Sequence, residues 1–396
     1  MEGSAPTQGG PDDALARAER VAPLLKAAAV RIDAARELPP DVLAALHEAR
    51  IFRLMLPRFL GGDELDPVSL SHVTQTIAAA DASTAWCLGQ GSGCAMSAAY
   101  MAPEAARKVF GPADAVLAWG AGAQGKAKAT KGGYVASGKW FFASGSRHAT
   151  WLGGHCKVFE ADGTPRLGPD GIQAQRTMLF RRSQATIDDV WHVVGLRGTG
   201  SDGYAISELF VPESETLNRD DVSGRVYESP VYRFSITLVF AAAFSGVALG
   251  VARGALDDLR TLALEKTPRG ATRPLREDPV FQTHLAELEG RWRAARAYVD
   301  AAFAEAWRGS EGREALTLNQ RMDIRLAATT AINQATDLTA AAYRAAGATA
   351  IFNANSFERR LRDSHAVSQQ AQARGTHFET VGRHLLGLPP DTTMFL

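Results

Sequence analysis

Apolar residues recur at helical spacing through the first hundred positions. ALARAERVAPLLKAAAVRIDAARE (14–37) carries one apolar stripe, and PPDVLAALHEARIFRLMLP (39–57) opens on prolines, as helix starts commonly do. A turn leads into GGDELDPVSLSHVTQTIAAADASTAWCLG (61–89), and APEAARKVFG (102–111) ends on a glycine stop. The pattern changes near residue 114. From Ala115 to about Pro212 the chain breaks into short runs (AVLAW, GYVASGKWFF, TMLFRR, YAISELFVP) separated by glycine-rich turns such as GAGAQG, KGG and GLRGTGSDG. That pattern predicts a small antiparallel sheet domain. Long Ala-rich amphipathic segments return from about Val231 to His384. Three units are expected: a helical domain over 1–114, a β domain over 115–225 and a helical bundle over 226–396.

Composition adds exclusions. Lys+Arg and Asp+Glu both number 43, so the chain lacks the basic surplus that a nucleic-acid partner calls for. Cys87, Cys94 and Cys156 form neither a disulfide framework nor a CxxC, which fits a reducing, cytoplasmic setting. The N-terminal stretch up to Arg20 has no apolar signal-peptide core and reads as a disordered lead-in. Ile236–Ala252 is almost wholly apolar, yet at 17 residues it lies at the short end for a membrane span. A buried helix of the second helical region, with no membrane partner, is the expectation.

Several motifs carry no chemistry. Gly120–Gly125 matches G-x-G-x-x-G, but a strand-like segment follows instead of a helix, and no acid lies between Asp114 and Glu160. A dinucleotide site is therefore not predicted, and the run reads as a hairpin loop whose backbone can approach a ligand. No HExxH and no G-x-S-x-G are present, so neither a metal site nor a serine hydrolase is expected.

Three blocks resemble the acyl-CoA dehydrogenase superfamily, in order and at the expected intervals. They are LMLPRFLGGDELDPVSL with AAADASTAW, then GGYVASGKWFFASGSRHATW, then AAGATAIFNANSFERRLRDSHAVSQQ. The resemblance implies an α+β fold with an N-terminal helical domain, a middle antiparallel β-barrel or sheet, and a C-terminal four-helix bundle. It also implies a flavin. On a regular strand, Trp140, Phe142 and Ser144 share one face, so Ser144 would meet flavin N5 while Trp140 packs the ring. Gly145 and Trp119 join the cofactor set. Arg273 and Gln282 resemble a segment that reaches the cofactor of a neighbouring subunit, and guanidinium suits its phosphate.

Ordinary dehydrogenases of the family use a Glu shortly after an R-D in the last helices. Here Arg362-Asp363 is followed by Gln369 and Gln370, which cannot accept a proton, and the next carboxylate is Glu379. The same segment, R-D-S-H-A (362–366), and the loop D-V-W-H-V-V-G-L-R-G-T-G-S (189–201) resemble the two-component flavin monooxygenases of the superfamily. That branch implies an oxygenase fed with reduced FMN by a separate NAD(P)H-dependent reductase. It would add oxygen, through a flavin C4a-hydroperoxide, to a hydrophobic small molecule that is aromatic or carries a heteroatom. A homotetramer is also implied. The alternatives are an acyl-CoA dehydrogenase-like oxidoreductase holding FAD, and a non-catalytic scaffold. Two positions depart from the branch: Cys94 and Gln370 stand where its phenol hydroxylases tend to carry histidines. Both join the candidate catalytic set with Ser144 and His148, the latter titrating near neutral pH in its unperturbed form. His365 and Asp363, two apart on a helix, point to different sides, which favours a structural role for His365.

Overall fold

A computed structural model describes residues 13–168, 170–219, 224–313 and 315–390. The expected disordered lead-in therefore lies mostly outside the described residues, as does the end of the tail. Among the described residues five α-helices come first: α1 (Ala14–Ala35), α2 (Pro40–Glu48), α3 (Pro67–Ala80), α4 (Ala82–Ala95) and α5 (Pro103–Phe110). Their starts follow from capping chemistry. Asp66 accepts from the backbone N–H groups of Val68 and Ser69 at 3.0 Å, with Pro67 in the first turn. Asp81 ends α3 and caps α4, accepting from both the backbone and the hydroxyl of Thr84 at 2.7 Å.

Eight strands follow: β1 (Leu117–Trp119), β2 (Gly125–Thr130), β3 (Gly133–Ala143), β4 (Trp151–Phe159), β5 (Gln175–Arg181), β6 (Thr186–Asp188), β7 (Asp202–Pro212) and β8 (Thr216–Leu217). They form one sheet in the order β6-β7-β3-β2-β4-β5-β8, with β1 also on β4. The sheet is mixed, not antiparallel as expected, because both β1 and β2 run parallel to β4. These two strands lie along β4 in succession, Trp119 opposite Gly153 and Gly125 opposite Cys156, so Gly120–Gly125 is not a hairpin loop. Its last glycine has a packing duty instead. A Cβ at Gly125, Gly138 or Gly154 would run into the indole of Trp140, which fills the core of the sheet.

Five α-helices complete the described residues: α6 (Ile236–Glu265), α7 (Pro279–Gly309), α8 (Leu318–Ala346), α9 (Phe357–Val367) and α10 (Thr376–Leu385). The apolar stretch is the first half of α6, long and apolar enough to cross a membrane by length and composition, but 83% of its most apolar window is buried. Gly246 and Gly250 lie so close to the α3 backbone at Ser71 and Gln75 that a methyl group would not fit, and Gly254 makes the same room for the Arg360 guanidinium. Glycine every fourth residue keeps one face of α6 bare, allowing α3 to approach closely. One apolar core thus runs through both helical regions, with a second inside the sheet.

Candidate functional site

The end of β3 does not alternate as a regular strand would. Its pairing with β7 slips between Trp140 and Ala143, and Phe142 sits at φ 61°, a conformation that costs a bulky side chain about 1 kcal/mol or more. The slip separates the residues expected to share a face. Trp140 is fully buried, stacked on Tyr204 at 5.3 Å and donating from its indole to the His155 carbonyl at 3.0 Å. It is a core residue, not the flavin wall. Phe142 swings out to 66% exposure, its ring edge against Trp191. Ser144 turns inward, 7% exposed, towards the helices.

There it joins a chain of buried hydroxyls. The Trp86 indole N–H donates to Ser144 Oγ at 2.9 Å, Ser144 Oγ lies 2.7 Å from Ser201 Oγ, and Ser201 Oγ lies 2.6 Å from Thr199 Oγ1. Thr199 donates to the Leu196 carbonyl at 2.8 Å. An indole only donates and a carbonyl only accepts, so the run has a direction: Trp86 to Ser144 to Ser201 to Thr199 to Leu196. Each hydroxyl gives its proton onward, and Ser144 keeps one unused lone pair.

The loop supplying Leu196, Thr199 and Ser201 is the GLRGTGS segment. Gly195 abuts the Arg362 backbone of α9, and Gly198 abuts Ile32 of α1 and Ser83 of α4, closer than any Cβ would allow. Leu196 adopts φ 54° while buried, held by polar contacts on both its N–H and its carbonyl. Its N–H donates to Asp363 Oδ1 at 2.7 Å, and its carbonyl accepts from Thr199 and, at 3.0 Å, from the Trp191 indole. Burial, with Asp81 and Asp33 adding like charge, pushes the Asp363 carboxyl up to about 7, against the pull of the Leu196 N–H and Arg362. Three ionic contacts also brace the loop: Arg147 meets Asp202 at 2.7 Å and Asp189 at 2.8 Å, and Asp189 meets Arg36 at 2.7 Å.

Four residues beyond Ser144, on the far side of the turn at Gly145 (φ 80°), stands His148. Its backbone N–H donates to the Gly145 carbonyl at 3.1 Å, and a Cβ on Gly145 would press on its Nε2. That Nε2 is buried and makes no hydrogen bond in the structure. Burial first, then the neighbouring His47 and Arg182, lowers the ring to about 3, so it is neutral at working pH. A surface histidine is thereby excluded, and so is an efficient general base. Phe52 lies between the two imidazoles, its ring 5.5 Å from His148 and 5.2 Å from His47. Phe52 also lines a small void of about 10 Å³ with Gly91, Ala95, Phe110 and Val116, room for one water at most. A larger cleft, about 320 Å³, is lined by Trp151, Arg181, Phe210 and Glu215 among others. Neither Ser144 nor His148 is among its lining residues.

The remaining sequence-predicted residues are placed elsewhere. Cys94 is buried and accepts from the Gln90 amide at 3.7 Å; burial pushes its thiol well above the ordinary range, so it carries no proton chemistry. The Gln370 carbonyl oxygen accepts from the Gln372 backbone at 2.8 Å, leaving a buried Nε2 without a bond. Trp119 is enclosed within β1, edge-on to His155 at 5.1 Å and under the Arg219 guanidinium. Arg273 is exposed ahead of α7, and Gln282 turns its amide to the Arg276 carbonyl at 2.9 Å. Glu379 is exposed on α10 and His365 on α9. Sequence reasoning missed Trp86, Thr199, Ser201 and Asp363 as members of the site. All four lie inside motifs quoted for the resemblance, but only the fold brings them to Ser144.

A flavin calls for a hydrogen-bonding group at N5 and a flat apolar wall. Ser144 offers the open lone pair. The wall is available on the Trp86 ring, which stacks on Phe244 at 4.2 Å, and Phe244 stacks on Phe240 at 5.4 Å. The residues present fit the group.

The family described as acyl-CoA dehydrogenase, N-terminal domain, matches residues 17–113, and that described as acyl-CoA dehydrogenase, C-terminal domain, matches 242–374. The chain is 30% identical to the flavin-dependent monooxygenase oxygenase subunit HsaA of Rhodococcus jostii (strain RHA1), covering 96% of this chain and 99% of that one. It is 28% identical to indole-3-acetate monooxygenase of Pseudomonas putida, covering 90% of each. The crystal structure of 3-HSA hydroxylase from Rhodococcus sp. RHA1 superposes with a TM-score of 0.87 at 27% identity, over 96% of this chain and 98% of that one. The chain belongs to the acyl-CoA dehydrogenase superfamily, in the branch of flavin-dependent monooxygenase oxygenase subunits.

Proposed function

We propose that this protein is the oxygenase component of a two-component system that hydroxylates a hydrophobic small molecule, aromatic or heteroatom-bearing. It takes reduced FMN from a separate NAD(P)H-dependent reductase, with FAD as the alternative flavin. The observation that carries this reading is the pairing of Ser144 and His148 across the Gly145 turn. One offers a hydroxyl with an open lone pair, the other a half-buried neutral imidazole with a buried, unfilled Nε2.

When bound, reduced flavin would supply the activation of molecular oxygen. Ser144 would hold the N5 edge, and the Trp86–Phe244 stack would flank the ring system. His148 would serve as a hydrogen-bonding partner for a polar group of the substrate or for oxygen, since a ring that stays neutral down to about pH 3 is a weak base. Phe52, packed on the His148 ring, would shield that side of the reacting region from water, which limits side reactions. The missing carboxylate also fits: the stretch after Arg362-Asp363 offers glutamines, so removal of an α-proton has no base there. A cytoplasmic setting is supported by three buried free thiols among the described residues. A homotetramer rests on the family resemblance, as does the proposal that Arg273 and Gln282 reach a neighbouring subunit's flavin.

The test is direct. Purified protein, a flavin reductase, NAD(P)H, FMN and oxygen are incubated with a panel of phenols, indoles and aromatic thioethers. A product heavier by one oxygen atom is expected, dependent on the reductase. Tightly held FAD that an acyl-CoA reduces without oxygen would overturn the reading.

A further inference from the structure

We propose that Thr199 and Ser201 act as positioning residues that present Ser144 as a hydrogen-bond acceptor, so that the site selects flavin carrying a hydrogen on N5 over oxidised flavin. This rests on the reading that a flavin seats its N5 edge at Ser144.

The direction of the hydroxyl chain decides the matter. Ser144, Ser201 and Thr199 are 7%, 2% and 2% exposed, so water cannot readily replace a lost partner. Thr199 gives its proton to the Leu196 carbonyl at 2.8 Å, so Ser201 must give its own to Thr199, and Ser144 its own to Ser201. Trp86 takes one lone pair of Ser144, and the other stays open. Reduced flavin has an N–H at position 5, a donor that meets this lone pair. Oxidised flavin has a bare nitrogen there, an acceptor facing an acceptor. To serve it, the whole chain must reverse and break the Thr199–Leu196 bond. One buried hydrogen bond is worth on the order of a tenfold change in a dissociation constant.

The Leu196 carbonyl is well suited to anchor this direction. It is fixed from the other side by the Trp191 indole, and the Leu196 N–H on the preceding peptide is tied to Asp363, which restrains the residue when the chain is disturbed. Neither Thr199 nor Ser201 is assigned a contact with the flavin, which separates positioning from direct binding.

The experiment compares dissociation constants for reduced and oxidised FMN, measured anaerobically by equilibrium dialysis, in wild type, Thr199→Val, Thr199→Ser and Ser201→Ala. Thr199→Val removes the anchor while keeping the side chain's shape. The oxidised-FMN constant should fall about tenfold and the reduced-FMN constant should stay within about twofold, for the loss of one buried hydrogen bond. Thr199→Ser retains the hydroxyl and should keep the wild-type ratio. Ser201→Ala frees the Ser144 proton by another route and should shift the ratio as Thr199→Val does. It also serves as the test should Thr199→Val fail to fold. An unchanged ratio in the folded variants overturns the inference while leaving the flavin reading intact. Failure of wild type to bind FMN or FAD in either redox state overturns both.

Discussion

Replacing Asp363 by Asn offers a sharp test of how the loop is held. The Leu196 N–H bond to Oδ1 survives, because an Asn carbonyl oxygen stands in the same place. What disappears is a carboxyl that burial and neighbouring acids push from 3.8 in the free state to about 7. The folded value is the higher one, so folding favours the protonated form. The stability this contributes is complete below the unfolded value and is lost as pH rises through about 7. Each pH unit inside that window costs wild type about 1.4 kcal/mol relative to a group that does not titrate, and the roughly three-unit shift sets a ceiling near 4 kcal/mol. The new amide adds a pH-independent offset of about 1–3 kcal/mol for its unpaired N–H groups, so the slope is diagnostic, not the offset. Urea denaturation of both proteins from pH 4.5 to 8 measures it. The variant should gain on wild type as pH rises and level off above neutrality. A difference that is flat with pH, or that grows in wild type's favour, would refute the placement of Asp363 as a buried, reluctant carboxylate.

Other consequences follow from the same geometry. His148→Gln removes an imidazole held down to about 3; its contribution is lost as pH falls from about 6.5 towards 3, so the variant should resist acid unfolding better than wild type, measured by circular dichroism. Ser144→Ala should weaken reduced-FMN binding by roughly tenfold and raise the share of oxygen released as hydrogen peroxide, assayed with peroxidase. Trp140→Phe loses the bond to His155 and some core volume; about 1–3 kcal/mol of stability should go while flavin affinity stays unchanged, since the indole lies inside the sheet. Gly250→Val sets a side chain against the α3 backbone and should cost about 3 kcal/mol or more in denaturant titration.

The order of helix, strand and helix was legible from periodicity because each segment buries one face against a continuous core. The buried nature of α6 was legible too, from its length and its interspersed glycines. Parallel pairing of β1 and β2 with β4 was not legible, since short strands carry no mark of their partners' direction. At the site, Ser144 could be singled out from its motif, but Trp140 was misplaced. Simple alternation assumes a regular pleat, and the slip at Phe142 turns the residues after it. Burial of His148 was equally hidden: its neighbours Phe52 and His47 come from a segment a hundred residues earlier. The hydroxyl chain joins α4, the turn after β3 and the GLRGTGS loop, so no local pattern could reveal it.

Oxygen labelling bears most directly on the central claim that this fold has been turned from dehydrogenation to oxygenation. With reductase, NAD(P)H, FMN and isotopically labelled molecular oxygen, mass spectrometry of the product from an accepted aromatic substrate should show one labelled atom. Product label that derives from water, or an acyl-CoA oxidised at the expense of resident FAD with no oxygen incorporated, would contradict it.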